Sequence, residues 1–271
     1  MARHAPGHLR VAVLGAGRIG LRIAGRLDGG PEGPELVALL ARPEQRAALA
    51  ARFGAARICT RLEEVLARAP DVAAECASAR LLAEAGPALL RAGTDVIPLS
   101  LAAFANPATE RALLAAAGAG PGRLEIPAGA MAAIGFLAAA REEGLHAVRL
   151  CVSYPPTRLA GTPAEPALAG LAAPRTVFAG TVREAAALFP RHLNVSVGVA
   201  LAGLGLDRTE LALVADPGIG QCRFVLSARA APGDIHLAVE GRDRPVEEDP
   251  VDHTTFSVIH LLRRRMARLA V

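Results

Sequence analysis

Three glycines, Gly15, Gly17 and Gly20, stand as G-x-G-x-x-G in "GAGRIG", directly after the apolar run "LRVAVL" (9–14). The spacing suits a diphosphate: the first glycine permits a tight turn, the second lets the pyrophosphate approach the backbone, and the third lets a helix pack closely on a strand. Arg18 and Ile19 open that helix, whose free N–H groups and dipole would hold the anion. Further on, "LLARPEQR" puts Arg42 at the tip of a second apolar run, where a dinucleotide fold commonly carries an acid for the ribose hydroxyls. A guanidinium there can receive a 2′-phosphate and stack on adenine. NADP(H) is therefore expected, with NAD(H) the alternative if Arg42 is only a solvated arginine.

The elements that must position these residues follow the same order. "LRIAGRL" has helical spacing, 35–45 reads as a second strand, "RAALAARF" as a helix, 69–77 as a third strand and 80–93 as a helix. Strands at 94–100 and 122–129 flank a helix at 107–118. Alternation of this kind predicts a parallel sheet covered on both faces, and its third-strand loop would bring Cys76 to the cofactor as an unreactive wall. Beyond 128 the texture changes. Strands are expected at 145–154, 210–217, 222–230 and 234–242, the last two alternating as in a half-exposed antiparallel sheet, with helices at 181–190 and 193–205. The fold class is thus α/β: an N-terminal Rossmann doubly wound parallel sheet (1–128) plus a smaller α+β domain (129–253), with a last helix (254–271) packing back on the first.

Composition removes several chemistries. All 30 basic residues are arginine, so Schiff-base catalysis, pyridoxal phosphate attachment and a P-loop lack their amine. With one Tyr and seven Phe for stacking and the arginines dispersed, nucleic acid is not an expected partner. The four cysteines, Cys59, Cys76, Cys151 and Cys222, show no metal or redox spacing, so no metal is expected. Mean hydropathy is +0.33, yet no run approaches eighteen uninterrupted apolar residues and no apolar leader precedes the first strand; a cytoplasmic protein without a membrane partner is expected.

"PAGAMAAIGFLAAA", "GTPAEPA", the run from Phe178 to Pro217 and "DPVDHTTFSVIHLLRR" resemble the L-aspartate dehydrogenase family in order and spacing over nearly the whole chain. The resemblance implies an NAD(P)-dependent amino acid dehydrogenase or imine reductase. Its substrate would be L-aspartate, through iminosuccinate, or a related small amino acid, and it would work as a homodimer or homotetramer. It also implies cofactor contacts at Ala130 in "PAGA" and Asn194 in "HLNV".

The family's catalytic positions depart. In "ADPGIGQCRF" the family's Asn-x-His pattern aligns with Cys222 and Phe224, a family lysine before proline aligns with Tyr154, and the closing Asn-Pro-Lys-Thr-Ser pattern reads Asp249, Pro250, Val251, Asp252 and His253. Phenylalanine neither donates nor accepts a proton. Two histidines are candidates to replace the lost group: His192, two residues before Asn194, and His253, beside Asp252. The alternatives are a homologue with a changed substrate and a dinucleotide-binding protein without turnover.

Overall fold

The computed structural model describes residues 9–27, 33–241 and 253–269. The chain divides into two compact units, one of residues 1–103, 107–129 and 253–271, the other of 104–106 and 130–252.

The first unit begins with β1 (Arg10–Leu14), α1 (Arg18–Leu27), β2 (Glu35–Leu40), α2 (Arg46–Phe53) and the two-residue β3 (Ile58–Cys59). It continues through α3 (Leu62–Leu66), β4 (Val72–Glu75), α4 (Ala79–Arg91), β5 (Asp95–Pro98) and α5 (Pro107–Ala119). The strands form one parallel sheet in the order β3-β2-β1-β4-β5. β1 is its middle strand, and Val11, Ala12 and Val13 are fully buried because both faces are covered. The strand expected at 122–129 is reduced to a single bridge, Leu124 to Val96. Gly122 and Pro127 bracket the segment, and proline cannot donate to a ladder.

The second unit contains α6 (Ile134–Glu142), β6 (Leu145–Tyr154), the single-turn α7 (Pro156–Leu159), β7 (Arg175–Thr181) and α8 (Val182–Leu188). α9 (Asn194–Ala202), β8 (Glu210–Ala215), β9 (Arg223–Ala230) and β10 (Gly233–Glu240) complete it. Its sheet runs β10-β9-β6-β8-β7 and is mixed: β6 and β8 are parallel, and the other neighbours are antiparallel. Thr181 and Glu184 form a capping box that starts α8 directly from β7. α6 and α8 pack on the sheet, and α9, buried along most of its length, packs against both.

The alternation of β6, β8 and β9 places Val152, Tyr154, Leu213 and Phe224 on the helix-covered face. The opposite face, with Cys151, Ala212, Val214 and Val225, is covered by no helix among the described residues of this unit.

The chain returns to the first unit with α10 (His253–Arg264). Val258, Ile259, Leu261 and Leu262 of this helix join Ile23, Leu27 and Leu36 in one core cluster. Arg265, just past it, bonds Asp95 at 2.6 Å and also pairs with Glu125.

Candidate functional site

β1 ends at Leu14 and the chain turns at once. Gly15 has φ +116°, a conformation that side chains resist, and its N–H bonds the Leu40 carbonyl of β2 at 2.9 Å. A Cβ on Gly20 would sit 1.9 Å from the Gly15 carbonyl oxygen, so only glycine lets α1 start this close to the strand. A Cβ on Gly17 would meet nothing within 4 Å. Two glycines are therefore demanded by packing, and the third keeps open the space before the N-terminus of α1, where a diphosphate would lie.

A groove of 590 Å³ starts at this turn and is lined by Gly15, Gly17, Arg42, Thr60, Cys76 and Arg80, among others. The residues fit the adenosine and diphosphate parts of a dinucleotide. Arg42 follows β2 with its guanidinium 3.2 Å from Glu44, both side chains largely exposed. Such a pair contributes little, so the guanidinium is free to exchange partners. Gln45 ties the corner together, accepting the Arg42 N–H at 3.2 Å and donating to the Ala16 carbonyl at 3.4 Å. Arg18, exposed, is the first residue of α1, and Ile19 packs against the core.

On the other side of the turn lies Glu75, which sequence reasoning missed. It is fully buried at the end of β4, and its carboxylate accepts from Ala77 N at 2.7 Å, Ser78 N at 2.9 Å, Ser100 N at 3.0 Å and Ser100 Oγ at 2.9 Å. Burial pushes its carboxyl above the usual range, and the four donors pull it back. It fixes the loop that carries Cys76 and Ala77 against Gly15. The only signal was a lone acid among buried alanines in "VAAEC". Cys76 lines the groove, and burial, with Glu75 adding to it, pushes its thiol well above the ordinary value; this suits a wall, not a nucleophile.

The second unit gathers the other singled-out residues at the C-terminal end of β6. Tyr154 donates to the His192 backbone carbonyl at 2.6 Å, and its ring meets those of His192 and Phe224 edge-on at 5.4 Å and 6.3 Å. His192 Nε2 lies 2.8 Å from the Arg158 carbonyl oxygen. A carbonyl only accepts, so this nitrogen carries a proton, and in the neutral ring Nδ1 then presents a lone pair. That Nδ1 is buried and has no hydrogen-bond partner among the described residues. Burial raises the Tyr154 phenol far above its ordinary value; the adjacent Cys222 thiol adds to the rise and the Arg158 cation offsets part of it. The Cys222 thiol is raised by burial as well. Phe224 is 5 % exposed.

Asn194 is the first residue of α9, half-buried, and Ala130 lies in the turn before α6, both in the second unit. His253 is exposed at the start of α10 in the first unit. Its expected partner Asp252, with Asp249, Pro250 and Val251, lies outside the described residues. Among the described residues no group of three His, Cys, Asp or Glu could hold a metal, and no helix is long and apolar enough to cross a membrane.

A doubly wound parallel sheet with a glycine cradle at its crevice, joined to a mixed-sheet unit, has the architecture of a dinucleotide-binding protein of the two-domain dehydrogenase kind. Comparison with known proteins narrows the class. Residues 15–127 match the model of the homoserine dehydrogenase NAD-binding domain, and residues 135–265 match that of the aspartate dehydrogenase C-terminal domain. The chain is 39% identical over 233 residues to L-aspartate dehydrogenase 1 of Bordetella pertussis, covering 86% of this chain and 87% of that protein. It is 35% identical over 268 residues to the L-aspartate dehydrogenase of Ralstonia nicotianae, covering 97% and 100%. The crystal structure of aspartate dehydrogenase from Thermotoga maritima has the same fold, with a TM-score of 0.74 at 21% identity over 97% of this chain and 99% of that one. The chain belongs to the L-aspartate dehydrogenase family.

Proposed function

We propose that this protein is an NADP(H)-preferring amino acid dehydrogenase that interconverts the CH–NH2 group of L-aspartate or a related small amino acid with its imine. The open space above Gly17, between two glycines that packing demands, carries this reading most directly. When bound, the dinucleotide exchanges a hydride with the substrate carbon; this chain's residues bind, orient and move the proton. Arg42 selects the 2′-phosphate. His192 is the proton carrier of choice: its Nε2–H is fixed on the Arg158 carbonyl and its Nδ1 lone pair lacks a donor, which the substrate nitrogen would supply. His253 is the second candidate, and Ala130 and Asn194 are the proposed cofactor contacts of the second unit. A positioned acid or base contributes roughly 10²- to 10⁴-fold in rate, so His192→Ala should lower turnover at least about a hundredfold with NADPH affinity nearly unchanged.

Phe224 favours one other reading, a dinucleotide-binding protein without turnover. Consumption of bound NADPH by any of a panel of 2-oxo acids with ammonium separates the two. Full activity of both His192→Ala and His253→Ala would move the proton to water and remove the histidine assignment.

The helix-free sheet face fits a second copy of the chain, in a cytoplasmic homodimer or homotetramer. Small and β-branched residues occupy its middle, and the ion pairs Arg149–Glu210 at 2.7 Å and Arg223–Glu240 at 2.8 Å border it. Val225→Arg should shift the mass measured by light scattering toward the monomer.

A further inference from the structure

We propose that Tyr154, Arg158, His192, Cys222 and Phe224 form the substrate subsite, and that it takes an amino acid with one carboxylate and an uncharged, apolar side chain, the carboxylate held by Arg158. The inference rests on the amino acid dehydrogenase reading and names its substrate class. Four separate segments meet at the end of β6: the strand itself with Tyr154, the turn of α7 through the Arg158 carbonyl, His192 before α9, and the start of β9 with Phe224 and, just ahead of it, Cys222. The orphaned Nδ1 of His192, buried and without a donor, marks the cluster as a place where a ligand completes the hydrogen bonding.

The charges in the cluster limit the ligand. Arg158 meets the His192 ring through its carbonyl at 2.8 Å and its charge lowers the Tyr154 and Cys222 values, and among the described residues its exposed guanidinium has no ion-pair or hydrogen-bond partner. Among the described residues, Arg223 is paired with Glu240 at 2.8 Å, and Arg191 is exposed and makes no hydrogen bond or ion pair with the cluster. Asp216 stands one residue beyond the register partner of Tyr154, buried at 8 % exposure, with its Oδ1 taken by the Gly218 N–H at 2.8 Å. The Tyr154 hydroxyl is spent on the His192 carbonyl. Within this cluster Arg158 is the one cation among the described residues, with an aromatic edge and a thiol beside it. A single carboxylate is matched there, and a second would have no cation of the cluster to pair with.

The test measures NADP+-dependent oxidation of L-aspartate, L-glutamate, L-alanine, L-2-aminobutyrate and L-norvaline. In parallel, binding of 2-oxobutyrate and of oxaloacetate to the NADPH complex is followed by nicotinamide fluorescence. Each turnover converts amino acid, water and NADP+ to 2-oxo acid, ammonium, NADPH and a proton. The expected result is a kcat/KM for a neutral amino acid at least tenfold above that for aspartate. Arg158→Ala should raise its KM and weaken 2-oxobutyrate binding by roughly 10- to 100-fold, and Arg158→Lys should recover part of the loss. Preference for aspartate or oxaloacetate, or an Arg158→Ala protein that binds 2-oxobutyrate like the wild type, overturns the subsite. A protein that turns over nothing yet binds 2-oxobutyrate through Arg158 keeps the subsite and loses the dehydrogenase reading.

Discussion

The glycine cradle makes two substitutions of the same size diverge. In Gly20→Ala the new methyl must occupy a point 1.9 Å from the Gly15 carbonyl oxygen, and reaching even a tight 3.0 Å contact moves α1 or the turn by about 1 Å. Overpacking on this scale costs about 3 kcal/mol, a fall in melting temperature of roughly 5–10 °C for the unliganded protein. In Gly17→Ala the methyl meets nothing within 4 Å, and the backbone there is not in the left-handed region. The unliganded protein should keep its melting temperature or gain up to about 1 kcal/mol from a stiffer unfolded chain. The same methyl stands between the backbone and an approaching diphosphate, where each lost charge-assisted hydrogen bond is worth about 1.5–3 kcal/mol, so NADPH affinity should fall roughly 10- to 100-fold or more. Thermal unfolding without ligand and fluorescence titration with NADPH read the two effects separately. A Gly17→Ala protein that binds NADPH within twofold of the wild type, or a Gly20→Ala protein with an unchanged melting temperature, would refute the assignment of roles to the three glycines.

Arg42→Ala should weaken NADPH binding roughly 10- to 100-fold and leave NADH binding nearly unchanged, as measured by parallel titrations; equal losses for both would remove its role at the 2′-phosphate. Tyr154→Phe keeps the ring contacts and strands the His192 carbonyl, costing about 1 kcal/mol in denaturant unfolding, and no change would mean that the 2.6 Å bond is not made in solution. The phenol is held neutral in the fold and ionises at its ordinary value when unfolded. Its contribution is therefore intact below that value and lost as pH rises from there toward the raised one, so the wild type should lose more stability than Tyr154→Phe above pH ~10. Burial raises the thiols of Cys76 and Cys222, so their alkylation by iodoacetamide should stay slow through the ordinary thiol range, pH ~8.5, and accelerate only above it; fast labelling at pH ~7 at either site, located by mass spectrometry, would contradict the environments described.

Much of the first unit was legible because its elements are long or uniformly apolar. β1, with the glycines behind it, cannot be read as anything but a buried strand entering a helix, and α1 shows its buried Gly20, Ile23, Ala24 and Leu27 at helical spacing. β3 has two residues and α3 five, too few to carry a period. β7 is a half-exposed edge strand whose "RTVFAGT" lacks a buried stripe, so only its pairing with β8 defines it. Glu75 escaped because its meaning depends on Ser100, 25 residues away, and an acid in a strand gives no hint of the donors it will meet. The candidate substrate cluster was half visible. Phe224, Cys222 and Tyr154 drew attention by departing from the family pattern, and His192 by standing near Asn194. Their convergence depends on the register of β6 with β9 and on a hydrogen bond spanning 38 residues, neither of which local spacing encodes. Arg158 and Arg191 were equal candidates by sequence to stand in for the family's lysines, and only the contact of the His192 ring with the Arg158 carbonyl places Arg158 at the cluster.

Transfer of deuterium from the cofactor tests the central claim most directly. The protein is incubated with NADPH carrying deuterium at either face of C4, ammonium, and oxaloacetate or a neutral 2-oxo acid, and the amino acid formed is weighed by mass spectrometry. A dehydrogenase acting on the CH–NH2 group yields an amino acid one mass unit heavier, labelled at its α-carbon from one of the two cofactor faces and unlabelled from the other. Bound NADPH that keeps its deuterium from both faces against every oxo acid, with no amino acid formed, would contradict the account and leave a dinucleotide-binding protein in its place.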